Sequence, residues 1–539
     1  MMLAVRIQLR KFTNFNGSVP EGTYGVFGFT GSLSGHPFAD FLLGLPFSSQ
    51  RLDPLTNRKI HEYELGFYFE DSFKVNNKLT LDYGLRWDLF GSASFKDGLQ
   101  FNWDPATGNV IVPTGRLRSI SPLYPTNTIK VVEGQVVPNS EKGNFAPRFG
   151  LAYRLRTNTV IRGGYGIYNE ALGRLARAQG TGPFQISETF FNSVSNNQAL
   201  FTFPNPFPVG SGSIPSQSVS GYPIDTTNGY IQQFNLTVEQ QLRDIGLRLS
   251  YIGSRARGLN FNLSTNKPQP STIPFAQSRR PFPQFVNTSF IQTTGATNYN
   301  AMSFEVQRKF SSDITFQGHW TWAHNMSNYL NLENPYNPLY WNRDAFTPRH
   351  RVSTNAIWNL PLGHGKRFGA GMPPVLNHVI GGWSLYYLAY FQTGSFFSPA
   401  FSGSDPSGTN TFGGLPDRIR NGNLAPGQRN IDRWFEVPAF VAPPPGRFGN
   451  SGVNVLEGPG LHVHNLSFSK KFNITERWNL QFLAAMSNIF NHTNFDFPSK
   501  NVSVPGAGGV IDCTYSCDDL FNLEKAGPRR MEMRLRLEF

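Results

Sequence analysis

Leu79-Thr80-Leu81-Asp82-Tyr83-Gly84-Leu85-Arg86-Trp87-Asp88-Leu89 alternates without a break. Successive side chains of a β-strand point to opposite faces, so Leu79, Leu81, Tyr83, Leu85, Trp87 and Leu89 share one face. Thr80, Asp82, Gly84, Arg86 and Asp88 share the other. The stretch is also long. A strand that crosses a bilayer needs about 9–11 residues, whereas a strand in a soluble sheet usually has about 5–6. The polar face carries ionised groups, which a packed sandwich core would not accept without partners.

The pattern recurs along the chain. Phe145, Phe149, Leu151, Tyr153 and Leu155 oppose Asn144, Arg148 and Arg154. Phe234, Leu236, Val238 and Leu242 oppose Gln233, Asn235, Thr237 and Glu239. Met302, Phe304, Val306 and Phe310 oppose Ser303, Glu305, Gln307 and Lys309, and Ile314, Phe316, Trp320 and Trp322 oppose Thr315, Gln317, His319 and Thr321. The chain ends on Met531, Met533, Leu535, Leu537 and Phe539 against Glu532, Arg534, Arg536 and Glu538.

The connections fall into two classes. Asn76-Asn77-Lys78, Arg156-Thr157-Asn158, Arg243-Asp244-Ile245 and Ser311-Ser312-Asp313 are short turns, and Asn473–Arg477 is slightly longer. Segments 91–143, 171–228, 258–298, 327–349, 398–459 and 496–528 are long and rich in Gly, Pro, Ser and Asn. Structureless connections above about 12–15 residues are uncommon in a compact soluble domain. Short turns on one side and long loops on the other are the plan of an outer-membrane barrel. One segment breaks the rule: Pro361 to Gly382 falls on the short-turn side and is long. The expected fold is all-β, a transmembrane antiparallel barrel of about 14–16 strands with long extracellular loops and short periplasmic turns. Candidate strands begin with 2–12 and 22–29.

Composition agrees. Only 15% of the 539 residues are charged, against about 25% in a typical soluble domain, while 14% are aromatic. Mean hydropathy is −0.32, and no uninterrupted apolar run reaches the roughly 18 residues of a membrane helix. A helical membrane bundle is excluded, and so is a disordered chain, which lacks aromatics. The net charge is +13, but Lys and Arg cluster only in pairs such as Arg279-Arg280, Lys470-Lys471 and Arg529-Arg530. Scattered loop charge is favoured over a nucleic-acid surface. Two cysteines exclude a disulfide-rich scaffold. Met1–Arg10 lacks a cleavage site and is not a secretory signal. It resembles a strand entered partway, so the chain is expected to be a fragment.

The order of several segments resembles a known family. His36–Gly44 (HPFADFLLG), Phe67–Asp71 (FYFED), Lys78–Asp88 (KLTLDYGLRWD), Asn144–Arg154 (NFAPRFGLAYR) and Val160–Tyr168 (VIRGGYGIY) come first. Leu249–Gly258 (LSYIGSRARG), Arg349–Gly363 (RHRVSTNAIWNLPLG), Gly381–Phe397 (GGWSLYYLAYFQTGSFF) and Gly446–Phe495 follow. Over nearly the whole chain this resembles the barrel of Oar-like TonB-dependent receptors, outer-membrane proteins abundant in Acidobacteria. The resemblance implies one barrel domain over residues 1–539. It also implies an N-terminal carboxypeptidase-regulatory-like domain, a plug and a TonB-contacting box, none of which is visible here. The TonB complex is then a partner only where that N-terminal region is present.

Few residues suggest chemistry. His462 and His464 share a strand face with Leu466 and Phe468. Two such histidines can bind a metal, but no third ligand is evident, and histidines packing near the headgroups are the better reading. Cys513 and Cys517, in the last long loop, suit a small-loop disulfide if that loop is extracellular. Asp512, Asp518 and Asp519 beside them lack the EF-hand spacing. Gly163, Gly164 and Gly166 are not a dinucleotide motif, since no helix follows, and are read as a bend or bulge in the wall. No seryl or zinc hydrolase motif occurs. No catalytic, cofactor or metal residue is assigned, and no cofactor is expected.

The expected function is an outer-membrane receptor and transporter in a Gram-negative bacterium: loops capture a ligand and a polar lumen passes it inward. An adhesion or interaction protein, or a passive pore, is the alternative. Partners are outer-membrane lipid and the barrel-assembly machinery. Leu535, Leu537 and terminal Phe539 are read as its recognition signal, because alternate side chains of an unpaired last strand can direct β-augmentation. The competing reading of Phe539 is an aromatic-girdle residue at the periplasmic interface.

Overall fold

The computed structural model describes residues 2–8, 11–12, 25–53, 60–171, 182–195, 198–208, 216–225, 227–308, 313–331, 333–475, 477–514 and 527–539. The alternating stretches become one antiparallel sheet in which each of fourteen strands pairs with the next in chain order. The first seven are β1 (Met2–Gln8), β2 (Glu64–Lys74), β3 (Leu79–Phe90), β4 (Asn144–Arg156), β5 (Thr159–Asn169), β6 (Tyr230–Leu242) and β7 (Ile245–Ser264). The others are β8 (Thr288–Arg308), β9 (Ile314–Ser327), β10 (His350–Asn359), β11 (Trp383–Gln392), β12 (Leu461–Asn473), β13 (Asn479–Ser487) and β14 (Arg530–Glu538). From β2 onward they run from 9 residues in β13 and β14 to 21 in β8. Among the described residues β1 and β14 are the two edges of the sheet. The fold is an outer-membrane-type antiparallel barrel wall, with short turns at one end and long loops at the other.

Register keeps the two faces separate around the wall. Glu70 lies opposite Gly84, Gly84 opposite Arg148, Arg148 opposite Gly166, Gly166 opposite Gln233 and Gln233 opposite Ser254. The same face continues to Ser467, Ala485 and Glu532 at the far edge. This is the polar, inner face. On the other face Tyr83, Phe149, Tyr165 and Phe234 fall in line, as do Phe468, Ala484 and Met533. Leu85, Phe149, Leu236 and Leu535 are all exposed there. A contiguous apolar surface of this kind, on a continuous ladder of backbone hydrogen bonds, is what a bilayer accepts and water does not.

The turns follow from local chemistry. Asn76 Oδ1 accepts hydrogen bonds from the Lys78 and Leu79 amides at 2.8 and 2.9 Å, closing β2 onto β3. Arg243 adopts a φ of 56° in the two-residue link from β6 to β7. Of the turn before β9, Ser311 and Ser312 lie outside the described residues.

Four expectations change. Residues 22–29 are not a barrel strand: Val26–Gly28 pairs with Ser48–Asp53 in a small separate sheet, and residues 22–24 lie outside the described residues. The loop given as 258–298 is shorter, because β7 and β8 continue as a hairpin to Ser264 and from Thr288, past bulges around Leu259. Gly163, Gly164 and Gly166 cause no bulge, since β5 pairs in unbroken register with β4 and β6 there. The long connections are not structureless, as short strands and buried cores run through them. Two α-helices are present among the described residues, α1 (Pro37–Leu42) and α2 (Pro374–Ile380), the second inside the long segment on the short-turn side.

Candidate functional site

The inner wall is built from the polar parity of each strand. On β3, β4 and β5 that parity places Gly84, Gly150, Gly164 and Gly166 side by side. A side chain would fill the space they leave: a Cβ on Gly164 would sit 2.7 Å from Asn235 Oδ1, and one on Gly84 2.8 Å from the Phe69 carbonyl oxygen. The result is an open hollow of about 880 Å³ on the inner wall, bordered by Glu70, Asp82, Arg86, Arg148, Tyr168 and Tyr299. Arg86 donates from Nε and Nη2 to Asp88 at 2.8 and 2.6 Å. The Arg148 guanidinium lies 4.8 Å over the Tyr168 ring. Cations, carboxylates and phenols around a backbone-floored hollow can receive a polar ligand or a polar protein segment.

Nearer the short turns the same face carries a charge ladder. Arg162 pairs with Glu239 at 3.1 Å, Arg248 bridges Glu239 and Glu305 at 3.2 and 2.9 Å, and Gln317 Nε2 donates to Glu305 at 2.8 Å. Five consecutive strands are thereby tied together. Single exposed pairs contribute little, about 0–1 kcal/mol, but each arginine here is shared or opposed within a network. The ladder explains how ionised residues occupy the wall without facing lipid.

The long loops form a layer at the opposite end. Phe101, Trp103, Val110 and Val112 from the β3–β4 connection pack with Phe184, Ile186 and Val219 from the β5–β6 connection and Phe285 from the β7–β8 connection. Asn102 Nδ2 donates to the Tyr222 carbonyl at 2.9 Å, and its Oδ1 accepts from the Tyr222 amide at 3.0 Å. A second core holds Phe397, Phe435, Phe440 and Leu456. Glu333, in the β9–β10 connection, ties the β7–β8 and β11–β12 connections together: Lys267 Nζ donates to the Glu333 carbonyl at 2.8 Å, and the Leu415 amide donates to Glu333 Oε2 at 3.0 Å. Burial pushes the Lys267 ammonium below its usual range and the Glu333 carboxyl above its own, each opposed by attraction to the other. Burial likewise raises the Tyr124 phenol.

The residues singled out from sequence do not converge on one site. His462 and His464 lie on the outer face: the His462 ring stacks on His492 at 5.0 Å, and His464 Nδ1 is 2.7 Å from the Tyr387 hydroxyl. Phe391 packs against both rings. Among the described residues no group of three His, Cys, Asp or Glu is placed to hold a metal. Cys513 is a half-cystine; Cys517, Asp518 and Asp519 lie outside the described residues. Leu535 and Leu537 are on the outer face of the edge strand, and Phe539 stacks on Trp478 with ring centroids 5.3 Å apart. The glycine hollow was missed. The available signal was parity, since the four glycines share strand faces with Asp82, Arg86, Arg148 and Arg162.

An antiparallel wall with an apolar outer face, a polar lined interior and long loops at one end defines an outer-membrane barrel protein. The chain belongs to the outer membrane beta barrel domain family, whose profile matches residues 4–519. It is located in the outer membrane. No curated protein matches it. Among solved structures it is similar to the ferripyoverdine receptor of the outer membrane of Pseudomonas aeruginosa, at 10% identity and a TM-score of 0.42, over 90% of this chain and 39% of that one. It is also similar to the siderophore receptor PiuA from Acinetobacter baumannii, at 10% identity and a TM-score of 0.39, over 92% of this chain and 44% of that one. The ferric-catecholate import receptor Fiu from K12 E. coli matches at 11% identity and a TM-score of 0.40, over 89% of this chain and 45% of that one. The chain therefore spans less than half the length of these receptors.

Proposed function

We propose that this chain is the barrel domain of an Oar-like TonB-dependent receptor, and that it takes part in uptake of a polar ligand across the outer membrane. The observation that carries the reading is the inner wall, where a glycine-floored hollow bordered by Arg86, Arg148, Glu70 and Asp82 sits above a continuous charge ladder. A purely structural wall has no need of such a hollow. In this reading the loop layer captures the ligand, and the lumen passes it inward. Energy comes through TonB by way of an N-terminal plug-bearing region. The barrel-assembly machinery inserts the chain, with Leu535, Leu537 and Phe539 as its signal, and Cys513 pairs with Cys517 in the last extracellular loop.

Ligand-dependent uptake tests it. Cells expressing the gene should accumulate a labelled ligand in a manner abolished by loss of TonB. Arg148→Ala should reduce uptake while leaving the assembled amount unchanged. Uptake indifferent to TonB, or steady ion conductance by purified protein in planar bilayers without ligand, supports a passive pore instead. The packed loop cores favour a second reading, an adhesion surface, which predicts surface binding with no accumulation at all.

A further inference from the structure

Segment 361–382 is the one long connection on the short-turn side, and its sequence suits neither a turn nor a loop in water. It contains no Asp or Glu. Its helix α2 buries none of its residues. Val375 is 79% exposed and Val379 60%, with Leu376, Ile380 and nearby Phe368 also exposed. Asn377, half-buried, accepts at Oδ1 from the His364 amide at 2.8 Å, and the exposed His378 ring packs on Phe472.

The place of this helix follows from Lys470. Lys470 lies opposite Trp383 and Phe482, and Phe482 lies opposite Leu535, so its side chain leaves the wall on the lipid side. It is nevertheless 3% exposed. Its ammonium donates to the carbonyls of His378, Val379 and Gly381 at 2.7, 2.9 and 2.6 Å. These are the free carbonyls at the C-terminus of α2, where the helix dipole favours a cation. Trp383 Nε1 donates to the Val379 carbonyl at 3.0 Å, and the ammonium also lies 4.8 Å over the Phe472 ring. The helix is thus clamped to the outer surface of the barrel, beside the short turns. Trp358 and Trp478 are exposed at the same end of the wall.

We infer that segment 361–382 is an interfacial anchor: α2 lies in the periplasmic leaflet of the outer membrane, with its exposed apolar side among phospholipid glycerol and upper acyl groups. The occupant is phospholipid because the exposed apolar patch is held on the lipid-facing side of the wall, at the end that carries the exposed tryptophans, which favour that depth. Arg367, over the Phe368 ring at 5.4 Å, stands where a lipid phosphate would lie. Lys470 is the bolt. It would be costly on bare lipid-facing wall, and α2 supplies the acceptors it needs.

The test uses the full chain, with Cys513 and Cys517 replaced by alanine, refolded into vesicles of phosphatidylcholine and phosphatidylglycerol. An environment-sensitive fluorophore is attached at Val375→Cys or, as a reference, at Gly427→Cys in an extracellular loop. The label at 375 should be quenched by lipids carrying a nitroxide near the headgroup and shielded from aqueous iodide, and the label at 427 should behave in the opposite way. Equal iodide quenching at the two positions overturns the proposal. Lys470→Met, checked for a folded barrel by its heat-modifiable migration, should turn the 375 label iodide-accessible and speed tryptic cleavage after Lys366 and Arg367 several-fold. A folded Lys470→Met barrel with the label still shielded would remove Lys470 from the account. Because the labelling comparison does not need that variant, it decides the location of the helix even where Lys470→Met fails to fold.

Discussion

Leu249 and Ile252 stand three residues apart on β7 and are similarly exposed, 47% and 40%. Exposure alone therefore predicts equal tolerance of a charge. Register predicts otherwise. Ile252 lies opposite Asn235 and Ala301 on the inner face and borders the hollow, whereas Leu249 lies opposite Val238 and Phe304 on the outer face. The outer band on this strand runs from Leu247 to Gly253, before Arg255 and Arg257 take the same face toward the loops, which puts Leu249 near its middle. An arginine on the lipid face of such a barrel costs about 2–4 kcal/mol at the midplane and about 0–1 near the interfaces. Leu249→Arg should lose most of that range. At 1.4 kcal/mol per tenfold, this is roughly 30-fold to 1,000-fold in the folding equilibrium. Ile252→Arg faces the lumen in the hollow that Asp82 and Glu70 also line and should cost about 0.5 kcal/mol or less, the ordinary range for exposed substitutions. Urea titration of the two variants in lipid vesicles, followed by tryptophan emission and heat-modifiable migration, measures both. Equal losses, or a larger loss for Ile252→Arg, would refute the assignment of faces.

At the edge strand, Leu535→Arg should reduce membrane insertion more than Arg534→Leu, because Leu535 lies opposite outer Phe482 and Arg534 opposite inner Leu483; equal insertion of the two would sink that assignment. Deleting Phe539 should lower the assembled amount in cells while leaving refolding of purified chain nearly intact. Unchanged assembly in cells would leave only the girdle role that its stacking on Trp478 supports. In the loop layer, burial raises the Glu333 pKa, so the folded layer binds a proton more readily than the unfolded chain. Stability from this group is then greatest below the ordinary glutamate range, about pH 4.3, and falls as pH rises through its raised value. Proteolysis of 333–349 in detergent should accordingly slow between neutral pH and pH 5, and Glu333→Gln should flatten that dependence; faster cleavage on acidification would contradict it.

Much of the wall was legible in sequence, for a simple reason. A strand between lipid and a polar lumen must alternate, and it must do so for about ten residues. LTLDYGLRWDL therefore carries its class and its two faces in its own letters, and Met531–Phe539 does the same at the far edge. Short turns also announce themselves, because Asn76-Asn77-Lys78 leaves no room for anything else. What sequence could not supply was any relation between strands distant in the chain. Gly84, Gly150 and Gly164 become one hollow only when register brings them together, and alternation within a strand says nothing about its neighbour's glycines. The loop layer stayed hidden because its cores draw Phe101, Phe184 and Phe285 from three different connections, each too irregular to show a period. Lys470 shows the limit most clearly. By parity it is a charge on the lipid side of β12 and reads as an error in the pattern. Only the tertiary structure places the carbonyl end of α2, ninety residues earlier, where it accepts that ammonium and makes the position tolerable.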